Sequence, residues 1–416
     1  MNDFLLPRMY RIRQEFHFPS EADVPAAVRR ELGGLGLGAA IRAGDTIAVT
    51  AGSRGIADIR AVLTTVVEEL LKLGARPFIV PAMGSHGGAT ARGQLDALQL
   101  LGITEATVGC PIRSAMETIS LGEVEPGVPV LLDRNAAEAD HIAVINRVKP
   151  HTRFTAPAES GLVKMCLIGL GKAEGARVFH RAIDRHGWRN ISGPAFSIFA
   201  EKAPLLFGLA LLENADKKIG AMMGLLPSQF TSEEPKLLSR ALSIMAFVPF
   251  RDIDLLIVDE MGKDISGTGM DTNVTGRKDG LSSIARHVFV RDLTTGSGGN
   301  ALGIGLADFT TRRLVDKIDY EALYVNARTA YRTDACKIPM VLESDRDAIM
   351  TSAAMAGADN PDSFRVVWIK NTLELGEMLV SDALLDDTKE HSSLKVLNGP
   401  HEIKFDSNGN LIPASP

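Results

Sequence analysis

The chain has 416 residues, 45% hydrophobic and 23% charged, with 51 acidic against 45 basic side chains and a formal charge of -6. That length predicts more than one hydrophobic core, and the composition is that of an ordinary globular protein in water. No basic block could follow a phosphate backbone and no apolar run reaches membrane-spanning length, so neither nucleic acid nor a membrane is an expected partner. The segment Met1 to Arg13 lacks the basic, apolar, small-residue order of a signal peptide, which predicts a cytoplasmic location. Cys110, Cys166 and Cys336 are odd in number and lack zinc-type spacing, so they are expected to be reduced and mostly buried.

The first strand signal is the apolar run Asp45 to Thr50, which ends at Gly52-Ser53-Arg54-Gly55 and precedes a helical pattern from Ile59 to Leu73. The unit then repeats. Pro77 to Pro81 reads as a strand leading into Gly84-Ser85-His86-Gly87-Gly88, and a helix follows from Thr90 to Leu101, stopping at Gly102. A third strand, His141 to Asn146, ends before Lys149-Pro150-His151, and the apolar stretch Met165 to Leu170 follows Lys164 as a fourth. Next come a helix over Ala173 to His186, extended segments Leu206–Leu212 and Lys218–Leu225, and a helix from about Glu233 to Phe247. After Pro249-Phe250-Arg251 a fresh strand, Asp254 to Asp259, opens a second domain. It has further strands at Ile284–Val290 and Phe364–Ile369, a helix near Glu377–Leu385, and a polar, Pro-ended tail expected to be loose. Strands alternating with helices predict an α/β protein of two domains, each a mainly parallel sheet flanked by helices, with the boundary near residue 250. Ligands of such sheets sit at the carboxyl ends of the strands, where Arg54, His86 and His151 all fall.

Each candidate has two readings. His86, set among glycines that let a ligand approach the backbone, is an acid/base candidate or an incidental residue of a turn. His151, between Lys149 and Arg153, is a base kept neutral by nearby cations or part of a basic anion-attracting turn. Lys164, at the edge of an apolar run, is a nucleophile of lowered pKa, a covalent anchor, or a lysine snorkelling from a strand end. His180, in a helix with Arg177 and Asp184 on its face, is a lone metal ligand or a satisfied surface residue, and Arg54 is a carboxylate clamp or a solvated loop arginine. The glycines of Gly169-Leu170-Gly171-Lys172-Ala173-Glu174-Gly175 are one residue too widely spaced for a dinucleotide fingerprint.

Taken in order, Arg54, Gly84-Ser85-His86-Gly87, Lys149-Pro150-His151, Ser160-Gly161-Leu162-Val163-Lys164 and His180 resemble the lactate racemase family, over about Asp45 to Asn273. The resemblance implies a nickel pincer nucleotide (nickel-pyridinium-3,5-bisthiocarboxylic acid mononucleotide), joined to Lys164 through a thioamide and completed at nickel by His180. It implies that Arg54 grips a substrate carboxylate and that His86 and His151 serve as bases on opposite sides of a 2-hydroxy acid, giving racemisation or epimerisation. Residues 1–249 would be the catalytic and cofactor-anchoring domain, and 250–416 a domain closing the substrate cleft. Two departures point away from lactate itself. The acidic residue and proline of the family's arginine loop are absent from Thr50-Ala51-Gly52-Ser53-Arg54-Gly55, and Asp271-Thr272-Asn273 is followed by Val274-Thr275-Gly276-Arg277-Lys278 rather than the family's lactate-holding residues. Lys263, Arg277 or Lys278 would supply the missing cation, with Lys263 the assigned substrate contact, and Gly267-Thr268-Gly269 would make room for a larger hydroxy acid such as a sugar acid. The competing expectations are a cofactor-independent epimerase or dehydratase of a hydroxy acid, and a non-catalytic binding protein for an anionic metabolite.

Overall fold

A computed structural model of the chain describes residues 5–358 and 360–412. It divides into an N-terminal unit, Phe18–Met245, and a C-terminal unit in which the residues from Ala246 onward are joined by those up to His17. The chain's first strand, β1 (Met9–Gln14), belongs to the C-terminal unit. The N-terminal unit holds β2 (Thr46–Ala51), β3 (Arg76–Pro81), β4 (Thr118–Glu123), β5 (Pro129–Asp133), β6 (His141–Arg147), β7 (Leu205–Glu213) and β8 (Ile219–Leu225). The C-terminal unit continues with β9 (Ile253–Met261), β10 (Ala285–Leu293), β11 (Phe309–Thr311), β12 (Met340–Leu342), β13 (Val366–Ile369), β14 (Glu377–Ser381) and β15 (Leu394–His401).

In the N-terminal unit the main sheet runs β3-β2-β6-β7-β8, parallel except for β8, with β4 and β5 forming a separate antiparallel pair. Its strands are apolar on both sides because both faces are covered. Alternate residues of β2 therefore feed two cores. Ile47 and Val49 pack with Val62, Leu63 and Val66 of the helix Ile59–Lys72, while Ala48 joins Phe78, Val144 and Phe179 on the other face. The order β3-β2-β6 puts the loops bearing His86, Arg54 and His151 at the carboxyl ends of three adjacent strands.

The C-terminal sheet runs β12-β11-β10-β9-β13-β14-β1-β15, parallel from β12 to β13 and antiparallel from β13 to β15. The domain boundary expected near residue 250 lies at 245/246, and residues 1–17 go with the C-terminal unit. The reason is pairing: β1 lies between β14 and β15 and closes the backbone hydrogen bonds of both.

Three expected elements come out differently. Met165–Leu170 is helical rather than a strand: Leu162–Lys164 forms an α-turn, Met165–Gly169 a π-turn, and the helix Lys172–His186 follows. A run of buried apolar residues has no periodicity to separate strand from buried helix, and Met165, Cys166, Leu167 and Leu170 are all buried. Glu377–Ser381 is strand β14, buried between β13 and β1, and the helix begins only at Leu385. The tail is held rather than loose through Leu411, whose N–H donates to Asp345 and whose carbonyl accepts from Arg291; residues 413–416 lie outside the described residues. Cys110 and Cys166 are buried and all three cysteines are free thiols.

Ile12 is fully buried in β1 and packs with Val367, Val380 and Met378. Ile12→Ala is therefore expected to lower unfolding stability by about 2–5 kcal/mol, measured by chemical denaturation of the C-terminal unit's transition.

Candidate active site

The loop after β2 carries Ser53 and Arg54. Arg54 reaches solvent, yet the surrounding protein withdraws enough water to lower its pKa, and among the described residues no carboxylate contributes to that shift. A guanidinium with a starting pKa of 12.5 stays cationic through such a change. Ser53 Oγ lies 2.5 Å from His86 Nδ1, which ties the arginine loop to the histidine loop.

His86 itself is exposed, on a loop whose Gly84, Gly87 and Gly88 all have positive φ. Gly87 is required there because a Cβ would run into the backbone of Gly93 and Gln94. The loop's shape is fixed from below. Gln94 Nε2 donates to the carbonyls of Gly84 (2.9 Å) and His86 (3.4 Å), and Gln94 Oε1 accepts from Lys172 Nζ at 3.1 Å. Lys172, fully buried and at φ 54, also donates to Pro81 O at 2.6 Å and pairs with buried Asp133 at 2.9 Å. Burial pushes the Asp133 pKa up and the Lys172 pKa down, against the attraction between them, so the pair is held at a desolvation cost.

His151 sits in a loop closed by Glu159, whose carboxylate accepts from the His151 N–H at 2.6 Å and the Ala156 N–H at 3.0 Å. The imidazole stacks on Phe154 with centroids 4.1 Å apart, and the Arg153 N–H donates to its Nδ1 at 3.1 Å. The Arg153 guanidinium pairs with Asp184 at 2.8 Å, joining this loop to the helix that carries His180.

Lys164 ends the short helix Leu162–Lys164, whose start is pinned to β6: Asn146 Nδ2 donates to Gly161 O at 2.7 Å and the Lys149 N–H to Ser160 O at 2.9 Å. Desolvation first, then the cations Lys149 and Arg54, push the Lys164 pKa from 10.5 down to about 7. Desolvation, followed by Lys164 and Arg153, pushes His180 down to about 4, so its imidazole is neutral at ordinary pH. These mutual influences place Arg54, Lys149, Lys164, Arg153 and His180 in one electrostatic neighbourhood. Among the described residues no group of three or more His, Cys, Asp or Glu side chains could hold a metal ion.

Lys263 belongs to the C-terminal unit, where its ammonium donates to Gly267 O and Asn326 Oδ1. Arg277 pairs with Asp308, and buried Lys278 donates to Asn273 Oδ1. The glycines of Gly169–Gly175 serve packing: a Cβ on Gly169 would strike Met165 and Ala82, and one on Gly171 the carbonyl of Leu167. Sequence reasoning overlooked Ser53, Glu159, Lys172 and Glu234. Glu234, from the helix Phe230–Ile244, accepts the Val163 N–H at 3.0 Å, and burial pushes its carboxyl from 4.5 up to about 7. Only Glu159 had a local signal, its place just before Ser160-Gly161; the others are joined to the site through the fold.

Residues 17–190 match the family described as the lactate racemase N-terminal domain. No curated protein matches the chain. Among solved structures, the lactate racemase apoprotein from Thermoanaerobacterium thermosaccharolyticum is similar in fold, with a TM-score of 0.52 and 15% identity over 86% of this chain and 95% of that one. The two-domain α/β architecture with mainly parallel sheets is thus a lactate racemase-like fold.

Two measurements follow from this geometry. Lys172→Met leaves Asp133 buried without its partner and is expected to cost about 3–5 kcal/mol in urea unfolding, most of it regained when Asp133→Leu is added. Because the folded pKa of Glu234 is raised, its contribution to stability is fully present below about pH 4.5 and lost as pH rises through about 7. Glu234→Gln should flatten that decline, so the variant gains on the wild type across this window and holds a constant advantage above it.

Proposed function

We propose that this chain, whose N-terminal unit carries a lactate racemase domain, is an isomerase that racemises or epimerises a 2-hydroxy acid other than lactate with the help of a nickel pincer nucleotide held on Lys164. The observation that carries this reading is the pairing of an amine pushed down to about 7 with an imidazole pushed down to about 4, beside an arginine that has no carboxylate partner among the described residues. Roughly half of such an amine is unprotonated near neutral pH, where an ordinary lysine is almost wholly charged. Covalent attachment needs that free amine.

The residues fit the group. Lys164 would hold the nucleotide by an amide-type bond, and neutral His180 would give nickel its protein ligand, an imidazole suited to a site whose other donors are soft. When bound, the nickel nucleotide supplies a reversible acceptor for hydride. The protein's own part is to place the substrate and manage its proton. Arg54 would bind the carboxylate through two parallel hydrogen bonds and orient the α carbon. His86 and His151, from the loops that follow β3 and β6 on either side of β2, would take the hydroxyl proton and return it. The loop around Arg54 lacks the acidic residue and proline of the lactate enzymes, which supports a substrate other than lactate.

Protein produced together with the enzymes that make the cofactor should carry nickel and a mass increment on Lys164, read by intact mass and metal analysis. Lys164→Ala is expected to lose the increment, and His180→Ala to keep it while losing most of the nickel. Unmodified, nickel-free protein under these conditions would sink the proposal, and turnover of a hydroxy acid by such protein would favour a cofactor-independent epimerase or dehydratase.

A further inference from the structure

Gly161, three residues before Lys164, has a φ of -176°, an extended value open to any residue. What demands glycine there is space. A Cβ would run into Glu234 Oε1 and come within 3.1 Å of Val148 Cγ2. Glu234 belongs to the helix Phe230–Ile244 and is 2% exposed.

Its carboxylate is spent on backbone. Oε1 accepts the Val163 N–H at 3.0 Å, and the Leu162 N–H also favours the ionised form. The first N–H groups of a helical turn have no partner within it, and these two open the turn that ends at Lys164. On the other side β6 and the residues after it hold the same segment: Asn146 Nδ2 donates to Gly161 O and the Lys149 N–H to Ser160 O. The carbonyls are thus held from β6 and the N–H groups by Glu234. The helix behind Glu234 is itself seated on β7, where a Cβ on Gly208 would strike both Phe230 and Leu162.

Direct charge does not explain the contact. Burial, then Lys149 and Arg54, lowers the Lys164 pKa while Glu159 raises it, and Glu234 is not among these groups. Burial raises the Glu234 pKa to about 7, and no charged side chain is among the causes. The titratable side chain beside it is the Cys166 thiol, which burial and then this carboxylate keep protonated. A carboxyl buried at such a cost, with backbone alone to bind, holds that backbone in place.

We propose that Glu234 is the positioning residue of the Lys164 anchor: by holding the Leu162 and Val163 N–H groups it keeps the Lys164 amine in its desolvated place, and Gly161 is the residue that makes room for it. This rests on the reading of Lys164 as the point of cofactor attachment. An amine kept there stays partly unprotonated near neutral pH under the influence of burial, Lys149 and Arg54. Once the turn slackens, the amine reaches water and regains its proton.

The test uses the full chain without cofactor, labelled at about pH 7 with a trace of acetic anhydride and read residue by residue by mass spectrometry. The free amine takes the acetyl group, acetate leaves, and the amine's proton goes to water. The readout is labelling of Lys164 relative to Lys72, whose side chain is 63% exposed. In the wild type Lys164 should be labelled faster. Each pKa unit that Lys164 regains removes a factor of about ten of free amine at this pH, so Glu234→Ala should lower the ratio roughly tenfold or more. Gly161→Ala should do the same, and the double variant should lose no more than either single one, because both remove one contact. Glu234→Gln, which keeps an acceptor for Val163, should hold the ratio within about twofold. A merely structural role would change stability and leave the ratio alone. An unchanged ratio in Glu234→Ala, additive losses in the double variant, or a loss in Glu234→Gln as large as in Glu234→Ala overturns the proposal. If Glu234→Ala does not fold, Gly161→Ala alone decides, an unchanged ratio again overturning it. Absence of nickel and of a Lys164 adduct in protein made with the cofactor enzymes would instead overturn the functional reading and leave the labelling result standing.

Discussion

The buried pair of Lys172 with Asp133 is the constraint on which the arrangement of the site depends. One ammonium holds the end of β3 through Pro81 O, the Gln94 amide that shapes the His86 loop, and the end of β5 through Asp133. Lys172 is also the first residue of the helix that carries His180, entered at a positive φ that a lysine adopts only under compulsion. The start of the His180 helix and the base of the His86 loop are thus one point. An apolar residue of similar size would pack there at less desolvation cost, but it would hold none of these three oxygens.

Around that point two glutamates bind backbone. Glu159 closes the His151 loop with both oxygens, and Glu234 caps the turn that leads to Lys164, half neutral near pH 7 because it is buried. Among the described residues Arg54 has no carboxylate partner, and burial, then Lys149 and Arg54, depresses Lys164. A positive potential in partly desolvated surroundings draws in small anions and strengthens their contacts once bound. Burial, and then the charges of Lys164 and Arg153, keep His180 an imidazole rather than an imidazolium.

The order of Arg54, His86, His151, Lys164 and His180 was readable because each stands beside local chemistry: glycines that permit a loop, a proline before a histidine, an apolar run ending at a charge. The helical state of Met165–Leu170 was not readable, since a segment buried on every side gives no period, and it matters because it places Lys164 on a helix end and not a strand edge. Glu377–Ser381 was misread for a related reason: two neighbouring strands, one of them from the chain's start, claim its backbone.

The sequence by itself determined the α/β class and the strand-end positions of the arginine and the two histidines. Those follow from periodicity and residue chemistry, which act over a few positions. Only the tertiary structure decided the protonation behaviour of the site. Lys164 near 7, His180 near 4 and the hydroxyl partner of His86 arise from burial and from groups distant in the chain, such as Arg54 for Lys164 and Ser53 for His86. Desolvation and hydrogen bonding are set by what surrounds a group in space, and a linear order of residues does not contain that.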